Sequence, residues 1–156
     1  MPVLIGDVCR EHLHFMKWAD NVLLSAVAKY TPDRIDVLQH IYLGELVWLR
    51  RVRGESNAQL RDIEPPSDFR ALQRLWPDLH RGWIEWADSV ADWTAIAPHR
   101  NSKGVEYHFP VWQILSHVVN HGSYHRGQVS AMLRASGFAP PATDLIVWYG
   151  LMALSS

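Results

Sequence analysis

The chain has 156 residues, a formal net charge of −1, 48% hydrophobic and 20% charged residues, and one cysteine. These values are ordinary for a globular protein, and they exclude a disulfide framework and a cysteine-rich zinc site. The sequence has no polybasic or polyacidic tail, no signal peptide and no apolar run that could span a membrane. We therefore expect a single domain over residues 1–156, located in the cytoplasm, without nucleic-acid or membrane partners.

The first third of the chain predicts two long helices. Apolar residues recur at three- and four-residue steps from Ile5 to Tyr30, which is the helical period. Thr31-Pro32-Asp33 then has the chemistry of a helix start, with an N-cap residue, a proline and an acidic first turn. The second helix is predicted from Pro32 to about Arg53, and Gly54 is its expected stop.

The middle of the chain predicts a long connection and a third helix. Residues 54–68 contain glycine, asparagine and two prolines and are predicted to be irregular. The third helix is predicted from Ser67 or Asp68 to about Asp92. Pro77 falls inside its apolar pattern, where a proline removes a backbone donor and clashes with the preceding turn. We therefore expect a kink there, or two shorter helices.

The last third predicts a β-ribbon followed by two helices. Trp93 to Ile96 and Val105 to Phe109 are predicted as short strands around the turn-like sequence Asn101-Ser102-Lys103-Gly104. A fourth long helix is predicted from Pro110 to about Ala135, and a short final helix from Ala142 to about Leu154. Together these elements predict an all-α fold, a four-helix bundle with a short β-ribbon before helix 4 and a short C-terminal helix.

The fourth helix carries three histidines, His117, His121 and His125, at four-residue spacing. Four residues correspond to about 400° of helix, so each imidazole is displaced by about 40° from the previous one. A lone histidine would favour a polar core or surface role, but His121 and His125 point in one direction and can hold one metal ion. His117 lies about 80° from His125, so we expect it to line a pocket or support a ligand, with a ligand role still open.

A metal ion at this pair needs a further protein ligand. His40 is the best candidate, because it lies in the middle of the second helix among apolar residues. His12 and His14, near the start of the first helix, are weaker candidates. His108 is excluded, because seventeen residues of helix place it about 25 Å from His125. The zinc-protease motif is also absent, since no glutamate follows the first histidine of the pair.

Other polar residues have weaker functional interpretations. His80 and His99 are predicted to lie on the surface. Glu45 could touch the metal site, but a salt bridge is the favoured interpretation. Arg126 could orient an anionic group or make a salt bridge. No glycine-rich phosphate-binding loop and no Ser-His-Asp arrangement can be placed on the predicted elements.

The histidine motif and three other segments resemble one protein family. The run HVVNHGSYHRGQV at 117–129 is similar to the motif of the DinB-like (YfiT-like) metal-binding four-helix bundles. MKWADNVLL at 16–24 resembles the first-helix motif of that family, and LQHIYLGELVWLRRVRG at 38–54 resembles its second-helix segment. SGFAPPATDLIVW at 136–148 is also similar. The resemblance spans nearly the whole chain.

This resemblance implies a bundle with an unusual crossover and a divalent metal ion, typically zinc or nickel. In the family the metal is held by one histidine of helix 2 and two of helix 4, with water in the remaining positions. The matching positions here are His40, His121 and His125. Some relatives are transferases that use low-molecular-weight thiols such as bacillithiol, mycothiol or glutathione, and others are hydrolases or isomerases. Homodimers are common among them.

From these observations we expect a metal-dependent enzyme, either a hydrolase or a low-molecular-weight-thiol transferase, acting on a small molecule as a homodimer. Three neutral imidazoles leave the ion its full charge and an open face, which acidifies bound water or stabilises a thiolate. The sequence supplies no clear general base, and the candidates are His117, Tyr124 and Glu45. The alternatives are a non-catalytic, stress-related metal-binding protein and a helical interaction module without metal.

Overall fold

Four long helices form a bundle, with a β-hairpin and a short final helix attached. The computed structural model describes residues 4–30, 35–60, 62–101 and 103–155. Within these ranges the elements are α1 (Ile5–Tyr30), α2 (Asp36–Val52), α3 (Asn57–Leu60), α4 (Phe69–Ser89), β1 (Ile96–Arg100), β2 (Glu106–Pro110), α5 (Val111–Ala135) and α6 (Leu145–Leu154). The predicted fold class, an all-α bundle with a short β-ribbon and a C-terminal helix, is confirmed.

The bounds of the helices follow the sequence pattern closely. Helices α1 and α5 agree with their predicted ranges to within a residue. Gly54 and Gly137, the expected stops of α2 and α5, have φ values of 88° and 84°, a left-handed conformation that favours glycine. The predicted start of the second helix at Thr31-Pro32-Asp33 lies outside the described residues. Helix α6 begins three residues later than predicted, after Asp144 in an extended conformation.

Helix α4 is continuous through Pro77, so the expected break into two shorter helices is wrong. Asp68 caps its start, since the carboxylate Oδ1 accepts a hydrogen bond from the backbone N–H of Ala71 at 2.8 Å. Trp76, directly before the proline, and Leu79, two residues after it, are buried in the bundle. This packing of an amphipathic face holds the helix together across the missing backbone donor.

The β-hairpin joins α4 to α5. Its strands are antiparallel and pair Ile96 with Pro110 at one end and Arg100 with Glu106 at the other. The first strand therefore begins at Ile96, the residue at which the predicted strand ended. Trp93 was predicted in that strand and is instead buried against the core. The hairpin leads directly into α5, which places its aromatic side chains beside the first turns of that helix.

The four long helices do not pack in chain order. Helices α1 and α2 each pack chiefly against α4 and α5, so α1 lies diagonally opposite α2, and α4 lies diagonally opposite α5. The connection between α2 and α4 joins two neighbouring helices and contains the single turn of α3. This topology places α2 directly beside α5. None of the helices in the described part of the chain is both long and apolar enough to cross a membrane.

Candidate metal centre

Three histidines converge at the seam between α2 and α5. His40 comes from α2, and His121 and His125 come from successive turns of α5. One ring nitrogen of each lies within 4.8 Å of the others. His40 Nε2 and His125 Nε2 are 3.1 Å apart, and the ring centroid of His121 is 5.1 Å from that of His40 and 4.4 Å from that of His125. The structure thus brings together the three histidines that the resemblance implied as ligands.

The arrangement of these nitrogens fits a divalent metal ion. Two imidazole nitrogens at about 2.0–2.1 Å from a tetrahedral zinc ion are separated by about 3.3 Å. The distance of 3.1 Å between His40 and His125 is close to that separation. Two ring nitrogens cannot face each other through their lone pairs unless a proton or a cation lies between them. A third imidazole in the same cluster favours a cation, because one proton cannot serve three acceptors.

A neighbouring amide fixes the orientation of His125. Gln128 lies three residues further along α5, and its Oε1 is 2.8 Å from His125 Nδ1. An amide oxygen accepts a hydrogen bond, so Nδ1 carries the proton and the Nε2 lone pair faces His40. Sequence reasoning missed Gln128, although its i,i+3 spacing from His125 places it on the same helix face.

Gly44 allows α2 and α5 to approach each other at this seam. A Cβ atom at position 44 would lie 2.8 Å from Cε1 and 3.1 Å from Nδ1 of the His121 ring. Real Cβ atoms do not come that close to another heavy atom, so any side chain at this position would displace the imidazole. A glycine in the interior of a helix costs stability relative to alanine, and here it makes room for a candidate ligand.

Burial favours the neutral form of two imidazoles of the cluster. It lowers the pKa of His121 to about 4, with further lowering from the positive charges that His125 and His40 carry when protonated. The pKa of His40 is also lowered, first by burial and then by the charge of His125. Metal binding requires neutral imidazole, so at neutral pH neither ring has to lose a proton before it can act as a ligand.

Two of the candidate proton-transfer residues lie beside the cluster. The His117 ring is 5.9 Å from that of His121 and packs edge-on against Trp48 at 5.2 Å. Tyr124 is 68% exposed, and its ring lies 5.0 Å from that of His125. His117 is not part of the compact group of ring nitrogens. It therefore flanks the candidate ligands on α5.

An open cavity of about 290 Å³ adjoins the cluster. It is lined by His40 and His125 together with Asp36, Val37 and Gln128. Small molecules can therefore reach the two histidines from solvent. The first turn of α2, which supplies Asp36, was not among the residues that sequence reasoning linked to the site.

A second polar cluster lies inside the bundle, and it corrects the interpretation of His80 and decides between the alternatives for Arg126 and Glu45. His80 is 2% exposed, so its predicted surface position is wrong, and its Nε2 lies 3.1 Å from Asp20 Oδ2. Arg126 Nη1 donates to Asp20 Oδ1 at 2.7 Å, which makes it a buried salt bridge rather than an anion-binding group. Glu45 accepts a hydrogen bond from Trp76 Nε1 at 2.8 Å in the same cluster. Its carboxylate thus belongs to the core and not to the cavity beside His40.

His99, the other histidine predicted on the surface, is half-buried. Its ring packs edge-on against Trp48 with the centroids 4.8 Å apart, and it stacks with Tyr107 of the hairpin. The expected surface position is therefore wrong in part. The indole of Trp48 packs against the His99 ring. This contact joins α2 to the hairpin, and no local sequence pattern indicates it.

The charges of the second cluster are balanced without a metal ion. Burial raises the pKa of Asp20, but the charge of Arg126 and a hydrogen bond from His80 outweigh burial, so the pKa lies below its usual value. Burial and the negative charge of Asp20 raise the pKa of Glu45 well above its usual value. Asp20 therefore favours the ionised form, and Glu45 favours the protonated form. Although Asp20, Glu45 and His80 are close enough to share a cation, Arg126 already supplies the compensating charge.

Comparisons with known proteins agree with this geometry. A model of the DinB family matches residues 8–150 of the chain. The chain is also similar to Protein DinB of Bacillus subtilis (strain 168), with 30% identity over 127 residues that cover 77% of this chain and 72% of the relative. All three histidines of the cluster lie within the range that the family model matches.

Proposed function

The chain belongs to the DinB family, and from that premise we propose that His40, His121 and His125 bind a divalent metal ion. The observation that carries this proposal is the convergence of three imidazoles at one point between two helices. Nitrogen ligands of this type suit zinc and nickel, which are the ions that we propose. Three protein ligands also leave coordination positions open, as in catalytic rather than structural zinc sites.

We further propose that the protein is a metal-dependent enzyme, a hydrolase or a low-molecular-weight-thiol transferase. When bound, the ion would supply a Lewis acid that lowers the pKa of water or of a thiol. Gln128 would hold His125 in its binding orientation, and the adjoining cavity would admit the small-molecule substrate. His117 and Tyr124 flank the cluster and are the side chains placed to exchange a proton with a ligand there.

The alternative is a stress-related protein that binds metal without catalysis. The exposure of His40 favours this alternative, because a ligand that faces solvent allows the ion to exchange directly. The two proposals share the same ligands and differ only in turnover. Activity measurements on metal-loaded protein therefore decide between them.

We also propose that the chain forms a homodimer. The α6 helix exposes large apolar side chains, with Ile146 at 75% and Leu154 at 88% exposure. Burial of such residues in a subunit interface is favourable. Sedimentation of the wild type and of Ile146→Asp tests this proposal, and a wild-type monomer at all concentrations would reject it.

Metal analysis of protein purified without a histidine tag tests the central proposal. We expect about one equivalent of zinc or nickel in the wild type and a large loss in His40→Ala, His121→Ala and His125→Ala. His14→Ala removes an exposed histidine of α1 and is the matched control, with unchanged metal content. A metal-free wild type that cannot be reloaded would reject both metal-based functions.

An activity screen then separates the two functions. Metal-loaded protein is tested with thiols plus electrophiles, and separately with ester and amide substrates. The enzyme proposal predicts turnover that is lost in His125→Ala. Turnover that survives this substitution would contradict a role of the metal, and a wild type with bound metal but no turnover would favour the non-catalytic alternative.

A further inference from the structure

Arg51, near the end of α2, carries a charge without a carboxylate partner among the described residues. Its guanidinium carbon lies 4.8 Å from the centroid of the Trp48 ring, against which it stacks. Its Nε is buried and has no hydrogen-bond partner. Burial lowers the pKa of Arg51, but an arginine remains charged in proteins. A desolvated guanidinium nitrogen without an acceptor is unfavourable, so an acceptor from outside the chain would complete it.

The neighbouring arginines are already paired. Arg50 Nε donates to Glu55 Oε2 at 2.7 Å, and Arg100 Nη2 donates to Glu106 Oε2 at 2.8 Å. The carboxylates of Glu55 and Glu106 are therefore neutralised by other arginines. The positive charge of Arg51 is left uncompensated at this end of the bundle.

Arg51 lines a cavity of about 280 Å³ between the end of α2 and the first strand of the hairpin. Arg100 and His99 line the same cavity, as does the paired Glu55. Burial lowers the pKa of His99. A backbone hydrogen bond with Ala97 raises it by less, so the pKa lies below its usual value. At neutral pH the imidazole is therefore uncharged, and a ring nitrogen can donate a hydrogen bond without adding charge. Guanidinium groups and an imidazole in one concave space match the acceptor oxygens of a carboxylate or phosphate.

A row of aromatic rings lies between this cavity and the histidine cluster. The Trp48 ring makes edge-on contacts with both His99 and His117, with centroids 4.8 Å and 5.2 Å away. The His117 ring is in turn 5.9 Å from that of His121, a candidate ligand. The cavity lined by Arg51 and the histidine cluster are therefore joined by three ring contacts.

We propose that Arg51, assisted by His99 and Arg100, forms a subsite for the carboxylate or phosphate group of a small-molecule ligand. The subsite selects anionic molecules and lies apart from the three candidate metal ligands, so it does not depend on the function proposed above. Anion binding itself requires no metal. The two proposals can therefore fail separately.

Calorimetric titration of the metal-free protein with inorganic phosphate and with succinate, at constant ionic strength in sodium chloride, tests the subsite. We expect saturable binding of at least one of the two anions, weakened about tenfold or more in Arg51→Gln, because charge-assisted hydrogen bonds are lost. The matched control is Arg134→Gln, which removes an exposed arginine at the far end of α5. The anion affinity of this variant should stay within about twofold of the wild-type value, because salt screens the influence of a distant charge. Which anion binds more tightly distinguishes a carboxylate subsite from a phosphate subsite.

A second variant keeps the test informative if Arg51→Gln does not fold. Arg51→Lys keeps the charge but loses the planar fork, so binding should be intermediate between that of the wild type and that of Arg51→Gln. Circular dichroism checks the fold of each variant, and if Arg51→Gln does not fold, the comparison with Arg51→Lys decides. Absence of saturable binding in the wild type, or equal affinity in the wild type and the Arg51 variants, would overturn the proposal.

Metal content separates the subsite from the function proposed above. We expect Arg51→Gln to bind as much zinc or nickel as the wild type, because Arg51 makes no contact with the three histidines. A wild type that binds phosphate but no metal rejects the proposed metal function and leaves the subsite intact. A wild type that binds metal but neither anion rejects the subsite alone.

Discussion

Gln128 Oε1 accepts a hydrogen bond from His125 Nδ1 at 2.8 Å, one turn along α5 from the candidate ligand. Removal of this acceptor frees the imidazole to rotate and to change tautomer, so we predict that Gln128→Leu weakens metal affinity by about 10–100-fold. Gln128→Glu keeps an acceptor and should retain tight binding. Competition with a metallochromic chelator measures the affinity.

The control for this substitution is Asn120→Leu, which removes an exposed amide from the same helix. Its affinity should equal that of the wild type. If the Asn120 and Gln128 variants bind metal equally well, the hydrogen bond has no role in orienting His125.

Gly44 and Gly127 offer a matched pair of glycine-to-alanine substitutions in the interiors of the two helices of the seam. A Cβ at Gly44 would meet the His121 ring at 2.8 Å, whereas one at Gly127 would meet nothing within 4 Å. Gly127→Ala should stabilise the fold by up to about 1 kcal/mol through helix propensity and leave metal binding unchanged. Gly44→Ala should increase the free energy of unfolding much less than Gly127→Ala and should weaken metal binding, because the His121 ring must move. Urea denaturation and chelator competition measure the two effects, and equal metal affinity in both variants would contradict this role of Gly44.

Asp20 and Arg126 form a buried ion pair that links α1 to α5. Asp20→Asn removes one partner and leaves a buried guanidinium charge, so we predict a loss of about 3–5 kcal/mol in the free energy of unfolding. The double variant Asp20→Asn with Arg126→Met should cost less than the sum of the single substitutions, since no unpaired charge remains. Metal content per folded chain should stay at the wild-type value. A loss of bound metal in Asp20→Asn without unfolding would instead make the second cluster a metal site.

The protonation of Glu45 predicts how stability depends on pH. Its pKa is raised in the folded state by burial and by the charge of Asp20, and His80, Arg126 and Trp76 are its other polar neighbours. A carboxyl group whose pKa is raised in the folded state stabilises the fold fully at pH values below its pKa in the unfolded chain, which is about 4.3 for glutamate. This stabilisation is lost as the pH rises through the pKa of the group in the folded state. Asp20, whose pKa is lowered, has the opposite effect and loses its contribution as pH falls.

We therefore predict that Glu45→Gln, which stays neutral and can still accept from Trp76, removes the decline in stability above about pH 4.3 that Glu45 causes in the wild type. Urea unfolding at a series of pH values measures the difference in free energy between the two proteins. A difference that does not change with pH would show that Glu45 has an ordinary pKa in the folded state.

The sequence predicted the helices because periodic apolar residues indicate which face of each helix is buried. The same logic predicted that His121 and His125 share a direction, since both lie on one helix. The position of His40 depends on which helices are neighbours, and periodicity carries no information on that point. In this bundle α2 lies against α5 rather than against α1. The residue pattern could therefore rank His40 only as the best candidate for the third ligand, and the resemblance to a family completed the set of candidate ligands.

The errors concern polar residues on inner helix faces. His80 follows the buried Leu79, but its own position was predicted to be on the surface. Its partner Asp20 is sixty residues away in the chain, as the hydrogen bond between them shows. A long-range partner of this kind cannot be recognised from local pattern, and the same reason explains why Glu45 was placed among the possible contacts of the metal site.

The pairing of α2 with α5 also bears on how the chain holds together over time. His40 and His125 are 85 residues apart in sequence, yet their ring nitrogens meet. An ion bound there would act as a reversible cross-link that closes a long loop, and closure of a long loop restricts the unfolded chain strongly. Chelation would then loosen the seam between these two helices first, so the supply of metal would set the resistance of the protein to proteolysis as well as its chemistry.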